Sequence, residues 1–219
     1  MKRWLLAQGA GLALAGFALA LLAWSGLDAA ISSLAYSPAQ RDFPLRESWL
    51  TEVVGHKGLR HVSLALWIGL LGVALASRAW RRAALHAALG AALAATAVTV
   101  LRGWSVHSCP WDLAAFGGSA QWFPLFGEVP ADPGPGGCLP SGHASSGFAL
   151  FALYFALRDA HPRLARAALA FAWALGLVAG AVQVARGAHF ASHILWTAWV
   201  AWALNVALYA LIRRLKLPG

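Results

Sequence analysis

The chain of 219 residues is 60% hydrophobic and only 11% charged, with a mean hydropathy of +0.63. A soluble domain carries roughly a quarter charged residues, so this composition excludes a water-soluble globule and points to an integral membrane protein. The formal net charge is +9, but its distribution argues against a nucleic-acid partner. Eleven of the 17 lysines and arginines fall in four clusters: Lys2-Arg3; Arg78, Arg81 and Arg82; Arg158, Arg163 and Arg166; Arg213, Arg214 and Lys216. Of the eight acids only Asp159 lies among them, and the other segments hold six basic and seven acidic residues. That asymmetry is the positive-inside pattern of a multi-pass membrane protein, with the basic clusters cytoplasmic.

In chain order, Met1-Lys2-Arg3 opens an apolar run that reaches Leu27. A cleaved signal peptide is the alternative reading. However, the apolar part exceeds the usual length of roughly 7–15 residues, and Leu27-Asp28-Ala29-Ala30 is a poor cleavage site. The expectation is a first membrane helix with its N-terminus inside. Further apolar runs follow, and in all six are long enough to span roughly 30 Å of hydrocarbon: about 4–27, 59–77, 83–101, 141–158, 164–184 and 189–212. With six transmembrane helices, N-in and C-in, every basic cluster falls on the cytoplasmic side. The expected fold is an all-α, single-domain integral membrane protein over residues 1–219.

Two outer segments are long. In the first, 28–58, Trp49, Val53 and Val54 recur at helical spacing among Arg46, Glu47 and Glu52. The stretch 46–55 reads either as an amphipathic helix lying on the membrane surface or as a loop with one helical turn. The second, 102–139, carries Gly117-Gly118, Phe123-Pro124, Val129-Pro130 and Asp132-Pro133-Gly134-Pro135-Gly136-Gly137. Such Gly/Pro density makes turns, and a loop this long is usually functional. Its Trp104, Trp111 and Trp122 suit an interfacial aromatic belt.

Polar chemistry concentrates where apolar runs meet the outer side. Pro140-Ser141-Gly142-His143 precedes the fourth run, and 46 residues after its histidine comes the first histidine of Arg186-Gly187-Ala188-His189-Phe190-Ala191-Ser192-His193. Pro-Ser-Gly-His alone arises by chance in about one chain of this length in a thousand. Ser141 is a good N-cap for a helix starting near Ala144, whose N–H groups would face the outer surface as a phosphate cradle. Gly142 lets backbone approach an oxygen closely. His189 and His193, four apart, share a helix face, and Arg186 lies one turn earlier. Ionisable groups at a membrane boundary are functional candidates by default.

These two stretches resemble the second and third signature motifs of the phosphatidic acid phosphatase type 2 superfamily, membrane lipid phosphatases and relatives with a phosphohistidine mechanism. The resemblance covers about 100 residues, from Arg102 to Thr197. It implies that His189 is the nucleophile, that His143 protonates the leaving oxygen, and that no metal or other cofactor is needed. The family's first motif is a lysine, six residues, then Arg-Pro; the nearest match is Arg102, six residues, then Cys109-Pro110. Arg102 would then clamp the phosphate, with Ser141, Gly142 and Arg186 completing its binding set. Three positions depart from the pattern. Cys109 stands in place of the first motif's arginine and Gln183 in place of the third's. His193 replaces an aspartate that orients the nucleophile, and Asp112 is the first candidate to supply the missing carboxylate. His107 and Glu128 share that loop, while Asn205 and His86 read as interhelical or interfacial hydrogen-bonding groups.

Cys109 and Cys138 are the two cysteines. An oxidising periplasm favours their pairing, and closing the loop would stabilise by about 3–4 kcal/mol on the chain-entropy model; two unlinked thiols are the alternative. The implied function is a metal-independent membrane lipid phosphatase of the bacterial inner membrane with its active site facing the periplasm. It would act on a lipid phosphate or diphosphate such as undecaprenyl diphosphate, phosphatidylglycerol phosphate, phosphatidic acid or lipid A. Three alternatives stay open: a lipid phosphotransferase, a zinc protein using His143, His189 and His193, and a non-catalytic lipid binder on the same scaffold.

Overall fold

The computed structural model describes residues 1–215, so Lys216 of the last basic cluster lies outside the described residues. Its regular structure is helical: α1 (Lys2–Trp24), α2 (Leu27–Ser33), α3 (Leu59–Ala76), α4 (Arg81–Trp104), α5 (Ser145–Phe148), α6 (Phe151–Leu157), α7 (Pro162–Ala185) and α8 (Ala191–Arg214). Among the described residues five helices are long and apolar enough to cross a membrane: α1, α3 with its N-terminal extension from Leu50, α4, α7 and α8.

The remaining apolar segment differs from the continuous span expected over 141–158. It forms a shorter helical stretch, Ser145–Leu157, interrupted by a turn at Ala149-Leu150. At 1.5 Å per residue this reaches only about 20 Å. The shortfall lies at the Ser141 end, where residues 141–144 leave the helix to form part of the polar site. Gly147 permits the close contact that steadies this piece. A Cβ there would run into the backbone of Gly176 in α7, and one on Gly176 would run into the Phe148 ring.

Small residues bring α4, α5–α6, α7 and α8 together around one core of Ala87, Ala91, Ala94, Phe148, Phe151, Ala172 and Ala198. Between helices, packing of this kind is the main attraction in a bilayer. α1 lies on the outside, tied to α8 by Trp199 Nε1 donating to the Leu12 carbonyl at 2.8 Å and Trp202 Nε1 to Gln8 Oε1 at 2.9 Å. Asn205, read as an interhelical hydrogen-bonding group, instead donates to Ala201 within α8 at 2.9 Å. His86 is half-buried, and its Nε2 has no partner among the described residues.

The basic clusters gather at one end of the bundle. Arg158 lies over the rings of Trp4 and Tyr209 at 4.8 and 4.9 Å, Arg213 pairs with Asp159 at 3.4 Å, and Trp80 packs on His161 at 4.7 Å. At the other end, the two long connecting segments fold over the helix termini. Phe43, Leu113, Phe116, Ala120 and Phe190 make a second, smaller core there. Of the stretch 46–55, residues 46–48 stay outside regular structure. Leu50–Gly58 is a π-helix that runs straight into α3, because no proline or capping residue interrupts the helical backbone at Gly58.

Candidate functional site

The end covered by the second core is where the motif residues meet. Two hydrogen bonds join the second motif to the third: the Ser141 N–H donates to the His193 carbonyl at 3.1 Å, and Thr197 Oγ1 donates to the Ser141 carbonyl at 2.9 Å. Ser141 Oγ accepts the Ala144 N–H at 3.4 Å, a cap on the turn 142–144 rather than directly on α5. Gly187, with φ +71° and a position where a Cβ would strike the Phe43 ring, reverses the chain between α7 and α8. That turn delivers His189 to the buried side.

His189 is 2% exposed, and its Nδ1 lies 2.8 Å from the Cys138 carbonyl oxygen. A carbonyl only accepts, so Nδ1 carries the proton and Nε2 keeps the lone pair. Burial, reinforced by His193, His143 and Arg102, holds this imidazole well below the usual histidine range, hence neutral. The His143 ring faces it at 6.0 Å. Burial first, then the neighbouring His56, Arg102 and Arg186, lowers His143 to about 3. Arg102, at the end of α4, is anchored through Nε to the Gly137 carbonyl at 2.5 Å. Its Nη1 would sit 3.3 Å from a Cβ on Gly142, so the glycine keeps the guanidinium close to the motif backbone.

His193 packs edge-on at 5.9 Å from His189, and its buried Nδ1 has no partner among the described residues. The group holding the His189 tautomer is therefore the Cys138 carbonyl rather than the side chain at 193. Cys138 is bonded to Cys109, with Cα atoms 5.3 Å apart, and its own N–H donates to the His107 carbonyl at 3.0 Å. Asp112 does not supply the missing carboxylate. Its Oδ2 accepts the Cys109 N–H at 3.2 Å and closes the 3₁₀ turn Pro110–Asp112. His107 stacks on Phe123 at 4.4 Å, and Glu128 is exposed.

Arg186 is 6% exposed and is held on three sides. Its Nε donates to the Arg46 carbonyl at 2.8 Å, and its Nη1 approaches Gln183 Oε1 at 3.2 Å and His56 Nδ1 at 2.8 Å. Gln183, in place of the family's arginine, thus serves as a brace for the arginine one turn later.

Two residues of this site were not legible from the motifs. His56, on the π-helical lead into α3, packs its ring at 4.1 Å and 87° against His143; in sequence it is a lone histidine in a mixed-charge segment. Asp28 is 6% exposed and accepts the Ser192 N–H at 2.9 Å through Oδ1 and the Ser192 hydroxyl through Oδ2. It places a carboxylate at the N-terminus of α8. Burial raises its pKa, against the lowering effect of the Ser192 bonds. Asp28, His107, Ser192 and His193 line a small cleft of about 30 Å³. An apolar hollow of about 430 Å³, lined by Leu101, Trp104, Phe126 and Trp196, reaches the motif chain at Leu139 and Pro140. Among the described residues no group of three or more His, Cys, Asp or Glu side chains is arranged to hold a metal ion.

These features define an all-helical membrane protein with a buried histidine–arginine site at one end of its bundle. The sequence model of the PAP2 superfamily matches residues 83–216, and the chain belongs to that superfamily. Membership associates it with phosphatase or phosphotransferase chemistry on phosphoesters. Neither a curated protein nor a solved structure matches the chain.

Proposed function

We propose that this protein is a membrane lipid phosphatase working through a phosphohistidine on His189. The observation that carries the reading is the pair of imidazoles facing each other at 6.0 Å, one with its lone pair free on Nε2. Reacting atoms come within about 3–3.5 Å of each other in a productive complex, so that gap suits a phosphoryl group between nucleophile and acid. His189 Nε2 forms the N–P bond while the P–O bond to the lipid breaks, and His143 takes up the proton that arrives on the bound phosphate monoanion and passes it to the departing oxygen. Water activated by His143 then cleaves the N–P bond and releases phosphate. Arg102, Arg186, Ser141 and Gly142 hold the phosphoryl oxygens, whose charge they stabilise most at the transition state. The Cys138 carbonyl keeps Nδ1 protonated, and His193 packs behind the nucleophile.

In the same reading α5–α6 completes a set of six spans, N-in and C-in, with the basic end of the bundle cytoplasmic. The histidine site then faces the periplasm of a bacterial inner membrane. The apolar hollow beside Pro140 supports a lipid as substrate, since its walls suit the chain attached to a phosphate held at His143. The test is phosphate release by purified protein from phosphatidic acid, phosphatidylglycerol phosphate, undecaprenyl diphosphate and lipid A, with and without chelator. Chelator-resistant release from at least one is expected. No release from any of them overturns the reading, chelator-sensitive release points to zinc chemistry, and transfer to a second lipid in place of free phosphate identifies a phosphotransferase.

A further inference from the structure

A histidine that moves a proton is ordinarily oriented by a hydrogen bond on its second ring nitrogen. His189 has one, from Nδ1 to the Cys138 carbonyl. His143 has none, since its buried Nδ1 lacks a partner among the described residues. Its orientation must therefore come from packing. The nearest ring is His56, at 4.1 Å and nearly perpendicular, whereas His189 is at 6.0 Å.

His56 is itself fixed by several contacts. The π-helical backbone of Leu50–Gly58 is wider than an α-helix, and such turns recur at functional sites. Gly55 brings this turn against α7, where a Cβ would lie 2.8 Å from Val182 Cγ1. One turn beyond Val182 is Arg186, whose Nη1 lies 2.8 Å from His56 Nδ1. A guanidinium only donates, so Nδ1 accepts, and the single N–H of a neutral His56 is on Nε2. Arg186 is braced in turn by Gln183 and the Arg46 carbonyl. Ser63, two turns after His56, donates to the Ser146 carbonyl and ties α3 to the chain just after His143.

We infer that His56 is a positioning residue for the phosphatase reaction: braced by Arg186, its ring holds His143 in the orientation from which it protonates the leaving oxygen. The inference rests on the phosphatase reading for its kinetic consequence but not for the contact itself. Gln183 gains a purpose from it, as the first brace in a chain running through Arg186 and His56 to the acid.

The test compares a long-chain alkyl phosphate, whose alkoxide needs a proton, with p-nitrophenyl phosphate, whose leaving group does not. General acids contribute about 10²–10⁴-fold, and a misplacement of about 1 Å costs about 10²-fold. His56→Ala should therefore lower the alkyl-to-nitrophenyl ratio of kcat by about tenfold or more, and should add nothing to that ratio in a His143→Ala background. His56→Phe, which keeps the ring, should retain more of the ratio than His56→Asn, which keeps only the acceptor for Arg186. Equal losses on both substrates, or recovery by Asn and not by Phe, would overturn the inference. A second arm does not depend on turnover. In histidine-labelled protein the His143 imidazole signal, assigned by its loss in His143→Ala, should broaden or double in His56→Ala. A single sharp signal there overturns the positioning role. Wild-type protein inactive on every phosphate would instead remove the phosphatase reading and leave this arm to decide the contact.

Discussion

Asp28 is the buried carboxylate that anchors α8, and removing it should loosen the helix that follows His189. Asp28→Ala deletes the acceptor of both Ser192 bonds at the point where the helix dipole favours an anion. Hydrogen bonds to charged groups contribute about 1.5–3 kcal/mol each, and the second donor is a hydroxyl that can turn toward water. The net loss is therefore about 3 kcal/mol, which for a chain of this size lowers Tm by about 6–12 °C. Asp28→Asn keeps one carbonyl oxygen for the Ser192 N–H and should lose about 1 kcal/mol. The pH dependence follows from burial raising the Asp28 pKa. A carboxyl whose folded pKa lies above its unfolded value favours the folded state most below the unfolded value. That contribution fades as pH rises through the folded one. Wild type should thus lose stability relative to Asp28→Asn on going from about pH 4 toward neutrality. Differential scanning fluorimetry in detergent at several pH values measures both effects, and phosphate release in parallel reports the position of His189. The reasoning is refuted if Asp28→Ala melts with wild type and keeps its turnover, or if the gap to Asp28→Asn widens as pH rises.

His189→Ala should abolish turnover and the acid-labile phosphoenzyme trapped with labelled substrate, with a Tm near wild type; residual phosphoenzyme assigns the nucleophile elsewhere. Reducing the Cys109–Cys138 bond, whose partners are 29 residues apart, should cost about 3–4 kcal/mol and lower activity together with Tm. Activity surviving the full Tm loss would show that the Cys138 carbonyl does not need the bond to stay on His189. Because His143 is lowered to about 3, it is neutral in the empty site, and the leaving-group proton arrives with the phosphate monoanion. On this basis kcat/KM should fall about tenfold per pH unit above the phosphate's second pKa of about 6. A limb that stays in place when that pKa is shifted by thiophosphate substitution refutes the assignment. Single cysteines at Arg81 or Arg213, in a background lacking the native pair, should label only after the inner membrane is permeabilised. Those at Trp122 or Ala131 should label without it, and the reverse pattern inverts the topology.

The helical membrane architecture was legible in the chain because hydropathy and the clustering of basic residues are additive along the sequence. The apolar runs around α1, α3, α4, α7 and α8 needed no tertiary information, and the Pro-Ser-Gly-His and Arg-Gly-Ala-His segments marked the site through residue type and spacing. Which group lies across space from which was decided by the tertiary structure. Position 193 pointed to a replacement for an orienting carboxylate, and Asp112 to its source. Folding instead turns the Cys138 carbonyl onto His189 and uses Asp112 to close a local turn. A backbone carbonyl has no sequence signature, since every residue carries one. His56 and Asp28 were hidden for a related reason, being far in sequence from the groups they touch: His143 and Ser192 respectively. The fourth apolar run was also long enough on hydropathy alone. Only the joining of Ser141 to His193 and Thr197 shows that its first residues leave the helix to build the site, because backbone groups committed to a neighbouring helix cannot also extend their own.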